Sequence, residues 1–212
     1  MNDLSVVTML TFLLGLAFHL AFARAQSNAT IPPYVINYAP LIYLDVNEEY
    51  YPSDIAAQLE HTYPALNYSA LTSVSSNLTL SNLTSVNAAA QCTSFSNCKD
   101  LYLTSKDNII EKPTESWLRG VLPNPQTGET EGATSCAVIV TDHHNGTVDA
   151  FYMFFYAFNY GIPVGSPNGS VYDDHVGDWE HMMIRFSNTK PAAVYYSQHS
   201  VCVCTRFALA LT

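Results

Sequence analysis

Nine consecutive residues concentrate the chemistry this sequence offers. Asp173-Asp174-His175-Val176-Gly177-Asp178-Trp179-Glu180-His181 holds four carboxylates and two imidazoles, in a chain where only 12% of residues are charged. Read as a strand from Asp178 to Phe186, a period of two puts Asp178, Glu180, Met182, Ile184 and Phe186 on one face. Trp179, His181, Met183 and Arg185 fall on the other. The first face is apolar toward its end but begins with two carboxylates, and burying these as unpaired ions is costly. They must sit at a mouth open to solvent, be protonated, or hold a cation. Oxygen ligation by Asp173 or Asp174 with Asp178 and Glu180 suits Ca²⁺, Mg²⁺ or Mn²⁺. His175 and His181 would extend the set to Zn²⁺, although neither His-x-His nor His-Glu-x-x-His spacing is present. Gly177 lets the backbone turn sharply before the strand. Carboxylates at i and i+2 of one strand face also permit acid/base work, which makes a hydrolase using Asp178 and Glu180 a competing reading. The plainest alternative is a solvated acidic loop beside an edge Trp.

The elements that must position this cluster are strands. Ala133 to Thr141 is a buried-strand run, and Asp142 to Gly146 ends in the Asn-Gly hairpin signal. Val148 to Tyr160 is apolar or aromatic at nearly every position, as in a central strand covered on both faces. Asp178 to Phe186 and Ala192 to His199 follow. Four successive strands predict a mostly-β fold, an antiparallel β-sandwich with one or two short helices. Upstream, Tyr34 to Val46 reads as a strand pair broken near Pro40. Ser53 reads as the N-cap of a helix over Ile55 to His61. Residues 67–97 are rich in Ser, Thr and Asn and read as a glycosylated, loop-rich segment with little core.

The compartment follows from the N-terminus. Val6 to Phe22 is an apolar run followed by Ala23-Arg24-Ala25, a signal-peptide pattern that assigns residues 1–25 to the leader and 26–199 to the domain. Only Asp3, and no Lys or Arg, precedes the run. No other stretch approaches membrane length, so no stable span is expected after cleavage. Asn-x-Ser/Thr sequons at Asn28, Asn67, Asn77, Asn82, Asn145 and Asn168 agree with a secretory-pathway glycoprotein, vacuolar or extracellular. Cys92 and Cys98 bracket five residues of such a chain and are expected to form a disulfide, with Cys136 a thiol of the core. Cys202 and Cys204 lie at i, i+2, poor spacing for a bridge. A net charge of −10 at a pI near 4.9 excludes a sequence-independent nucleic-acid binder. Ser197 and Ser200 lack the Gly-x-Ser-x-Gly elbow of a hydrolase triad.

Several segments resemble the vacuolar protein sorting-associated protein 62 family of fungi: Tyr38 to Leu44, Glu48 to Asp54, Val148 to Tyr152, His175 to His181, and Tyr195 to His199. The resemblance spans about residues 35–200. It implies a secretory or vacuolar-pathway protein associated with protein sorting and brings no catalytic activity with it. Residues 175–181 alone are also similar to the His-Asp-Trp-Glu motif of the necrosis- and ethylene-inducing peptide family. That likeness implies a divalent cation at the acidic loop and, as a further alternative, a membrane-active cytolysin. No partner is indicated. Beyond His199 the first resemblance stops, and residues 200–212 read as an aberrant tail, from a gene-model truncation or a retained intron. The domain is therefore expected to be incomplete at its C-terminus.

Overall fold

The computed structural model describes residues 4–8, 30–74, 77–92, 98–109, 115–161, 172–198 and 201–206. Among these residues nine strands form two antiparallel sheets. The larger contains β1 (Leu4–Thr8), β5 (Cys136–Asp142), β6 (Thr147–Asn159), β7 (His175–Ser187), β8 (Lys190–Gln198) and β9 (Val201–Arg206), side by side in that order. The smaller is β2 (Thr62–Leu66) flanked by β3 (Ser69–Ala70) and β4 (Leu101–Ser105). Among the described residues the α-helices are three single turns, α1 (Pro33–Asn37), α2 (Ala57–His61) and α3 (Ser85–Ala89), and a 3₁₀ turn spans Ser116–Arg119. The expected mostly-β class and antiparallel meander are both present.

Turn chemistry sets two of the registers. Gly146 takes φ +83° and the Asn145 side chain accepts from the Thr147 N–H, so β5 and β6 pair with Asp142 opposite Val148. Asn188 and Thr189 both take positive φ in the tight turn that returns β7 into β8. β6 and β7, each of thirteen residues, pair from Thr147↔Ser187 to Asn159↔His175.

One face of this sheet is the main core. Val138, Val148, Ala150, Tyr152, Phe154, Ile184, Phe186 and Val194 are buried on it, and Ile31 and Val35 close over them. Val35 belongs to α1, so a helical turn and its flanks form this layer. The Tyr152 hydroxyl donates to the Val35 carbonyl at 2.6 Å, and the Tyr34 ring meets Phe186 edge-on at 5.0 Å. This corrects the strand pair expected over Tyr34 to Val46. Pro33 at the first helical position presets φ and loses no hydrogen bond there. Of the apolar residues that suggested strands, α1 turns Tyr34, Val35 and Ile36 onto the sheet, while Leu41, Ile42, Tyr43 and Val46 stay exposed.

The second helix is also shorter than expected, beginning at Ala57. Ser53 does not cap it, because the helix starts late enough to put Ala56 at the cap position with no side-chain cap bond; the Ser53 N–H donates to the Phe155 carbonyl at 2.7 Å. Asp54 takes the acceptor role, receiving the N–H groups of Ala56 and Thr134. The segment read as having little core holds a cluster of its own: Leu59, Leu78 and Val86 are buried among Leu71, Leu83, Leu101 and Leu103.

Candidate functional site

The apolar face of β6 and β7 changes character at one end. Following register along the ladder, Met182 lies opposite Tyr152, Glu180 opposite Phe154 and Asp178 opposite Tyr156. Glu180 and Asp178 therefore share the face that buries Ile184 and Phe186, but α1 does not reach them. They open onto a cleft of about 510 Å³ lined by Leu44, Asn47, Glu48, Glu49, Tyr50, Tyr156, Phe158, Asn159, Tyr160, Asp178 and Glu180.

The far wall is the segment that leads into α2. Pro52 forms a bridge to Tyr156, the Tyr51 N–H donates to the Arg119 carbonyl, and the Val121 N–H donates to the Pro52 carbonyl. Gly120, at φ +69°, makes this approach feasible, since a Cβ there would lie 2.0 Å from the Tyr51 carbonyl oxygen. Below, Tyr50, Leu118 and Phe158 form a buried apolar floor. The Glu48 carboxylate caps its own turn, accepting from the N–H groups of Glu49 and Tyr50. At the lip, Arg119 is ion-paired with Glu49 and its guanidinium lies 5.0 Å from the centre of the Tyr50 ring.

Electrostatics follow from this crowding of carboxylates. The Tyr156 phenol is pushed up to about 12, chiefly by burial and then by the negative charges of Glu180, Glu48 and Asp178. Tyr50 is also raised, mainly by burial, against the opposing pull of Arg119. The His175 ring nitrogen Nε2 lies 3.3 Å from Asp178, while Nδ1 faces the Asp173 carbonyl at 2.9 Å. Burial lowers this imidazole's pKa, but those two acceptors outweigh it and the net shift is upward.

The six residues expected as metal ligands are thus not brought to one point. Asp178 and Glu180 face the cleft and His175 borders Asp178. Asp174 accepts the Gly161 N–H at 2.6 Å. Asp173 is exposed, at φ +74°. His181 is on the opposite face, stacked on Tyr195. Among the described residues, no three His, Cys, Asp or Glu side chains converge as a metal site. Cys92 and Cys98 are joined in a disulfide and Cys136 is buried in β5. Asn67, Asn77 and Asn145 are exposed and Asn82 is half-buried; Asn28 and Asn168 lie outside the described residues, as does most of the leader.

Sequence reasoning missed one member of the cleft and one buried charge cluster outside it. Glu48 joins the cleft from 130 residues upstream of Asp178, with no local signal to mark it. Asp149, on the opposite face of β6, is buried and holds Arg185 through two hydrogen bonds of 2.7 Å and His143 through one of 2.9 Å. Desolvation alone would raise its pKa, but Arg185 and His143 bring it below the usual carboxylate value.

The family model described as vacuolar protein sorting-associated protein 62 matches residues 140–205, from the end of β5 into β9. Over 177 residues the chain is 38% identical to a putative vacuolar protein sorting-associated protein, TDA6, of Saccharomyces cerevisiae, covering 80% of this chain and 36% of that protein. It is 32% identical over 178 residues to vacuolar protein sorting-associated protein 62 of the same yeast, covering 82% and 37% respectively. The chain therefore spans little more than a third of the length of these curated relatives. No solved structure matches it.

Proposed function

The chain belongs to the vacuolar protein sorting-associated protein 62 family, and we propose that it serves vacuolar protein sorting from the lumen of the secretory pathway, as a glycoprotein that binds at its acidic cleft rather than catalysing there. The cleft carries this reading. Asp178 and Glu180, the pair a hydrolase would use, are surrounded by tyrosines and further carboxylates, and among the described residues no Ser, Cys or His lines the cavity. Such a surface offers hydrogen-bond acceptors, negative charge and aromatic faces, which are the elements of recognition. Its described lining offers no Ser, Cys or His nucleophile for acyl transfer, and its crowded carboxylates are suited to holding a cationic group. Luminal placement is supported by the apolar leader with its Ala-x-Ala ending and by the exposed sequons at Asn67, Asn77 and Asn145.

The test is genetic. Deleting the gene in its own host, and measuring how much of a vacuolar hydrolase appears in the medium, should show missorting that the full-length gene rescues. Normal retention of the hydrolase would overturn the sorting role. Digestion of the purified protein with an N-glycosidase should raise its electrophoretic mobility, and an unchanged band would remove the glycoprotein assignment.

A further inference from the structure

The cleft's walls specify what kind of group fits between them. Its carboxylates are not gathered tightly enough to chelate a metal ion, which needs several oxygens within about 2.6 Å of one point. They are instead spread around aromatic faces in a space of about 510 Å³, room for a side chain and the backbone that carries it. Such a distribution suits an organic cation, attracted by ring faces and hydrogen-bonded at its edges.

The molecule contains one example of that arrangement already. At the lip, the Arg119 guanidinium is held by the Glu49 carboxylate and lies over the Tyr50 ring. Deeper in, Tyr156 stands among Glu48, Asp178 and Glu180, the same pairing of ring and carboxylate. Among the described residues, no Lys or Arg forms an ion pair with Glu48, Asp178 or Glu180. The chain has few cations to spare, with 8 Lys+Arg against 18 Asp+Glu. Burial is the main cause of the raised Tyr156 pKa, and these carboxylates add to it. Hydrogen-bond chemistry narrows the occupant further. A quaternary ammonium would leave the carboxylate oxygens without donors, a lysine ammonium is a compact point charge, and a guanidinium presents five donors in a plane that also stacks on tyrosine.

From this geometry we propose that the cleft receives an arginine side chain of a partner polypeptide, stacked near Tyr156 and hydrogen-bonded by Asp178 and Glu180. The inference rests on the cleft being the recognition site and adds the chemistry of what it recognises.

The experiment is calorimetric titration of the full chain with a Gly-Arg-Gly peptide amide, with Gly-Lys-Gly amide, choline chloride and CaCl₂ as parallel arms. Arginine peptide should bind most tightly, and Glu180→Gln should weaken it about tenfold, the effect of losing one charge-assisted hydrogen bond. Asp142→Asn removes the same formal charge from the exposed hairpin at the opposite end of the sheet and should leave binding unchanged. Circular dichroism of each variant checks that the fold is kept. Equal weakening by Asp142→Asn would reduce the effect to diffuse attraction and overturn the proposal. So would tighter binding of choline or Ca²⁺, or no heat with the arginine peptide. Missorting on gene deletion with undiminished arginine binding in Glu180→Gln would overturn this inference alone and leave the sorting role intact.

Discussion

The β6–β7 ladder carries carboxylates at both ends, and the two ends treat them in opposite ways. Near the β5–β6 hairpin, Asp149 is buried, and two basic side chains of the same chain, Arg185 and His143, fill its oxygens. At the other end and on the opposite face, Asp178 and Glu180 face a cleft in which they meet other carboxylates and phenols, with the partly exposed His175 beside Asp178 as the one basic neighbour among the described residues. A carboxylate with its cations supplied from within is part of the framework, because removing it strands those cations. A carboxylate gathered with its like, and left open to solvent, raises local repulsion. A fold tolerates such a group where an outside cation is to be met. Sequence composition cannot draw this distinction: both ends contribute the same residue type to the same pair of strands.

The sharpest way to break the comparison is to remove Asp149. Asp149→Ala should destabilise the protein by about 2–3 kcal/mol in urea titration, below the full cost of breaking a buried pair because Arg185 is half-exposed and can rehydrate. A loss under about 1 kcal/mol would show the cluster to be ornamental. The same residue sets an acid limit. Its folded-state pKa is lowered, so its contribution is complete above the unfolded value, near 3.9, and is lost as pH falls through the folded value. Wild-type stability should therefore drop below about pH 4, and Asp149→Asn should flatten that part of the profile. A profile of identical shape in the variant would assign the acid sensitivity elsewhere.

The cleft end should behave differently. Asp178→Asn and Glu180→Gln should each change stability by no more than about 0.5 kcal/mol, with either sign, since neither removes a buried ion pair and each relieves repulsion. A loss comparable to that of Asp149→Ala would erase the contrast and make both ends structural.

Part of this was legible in the residues. The period of two along β7 sorts Asp178 and Glu180 from His181, and the structure keeps that sorting, with His181 stacked on Tyr195 across the sheet. The same alternation shows the carboxylates on the face that becomes core, and the strands from β5 to β8 follow from their apolar runs. Other features depend on distance in the chain. Glu48 reaches the cleft because Gly120 lets two backbone segments approach, and that contact has no sequence signature. Asp149 and Arg185 alternate correctly on β6 and β7. Their pairing nevertheless needs a register that the long connection from Tyr160 to Asp174 leaves to packing. Tyr34 to Val46 misled for a related reason. β-branched and aromatic residues favour strands only as a weak local bias, and burial of Val35 against Tyr152 overrides it.

The finest test reads the cleft's charge from inside. Tyr156 ionises at about 12 because burial disfavours the phenolate and Glu180, Glu48 and Asp178 add to that penalty. Since the folded value lies above the unfolded one, near 10, the phenol favours the folded state at neutral pH, and that contribution disappears as pH rises between about 10 and 12. Alkaline titration followed at the phenolate absorbance, with Tyr156→Phe to assign the step, should place it there. Glu180→Gln should lower it, because the charged neighbour that raises it most is gone. Glu129→Gln, a carboxylate outside the cleft lining, should leave it in place. An unmoved step in Glu180→Gln would mean that burial alone perturbs Tyr156. The carboxylates would then be too well solvated to act together on anything placed among them, and the contrast between the two ends of the ladder would come down to burial.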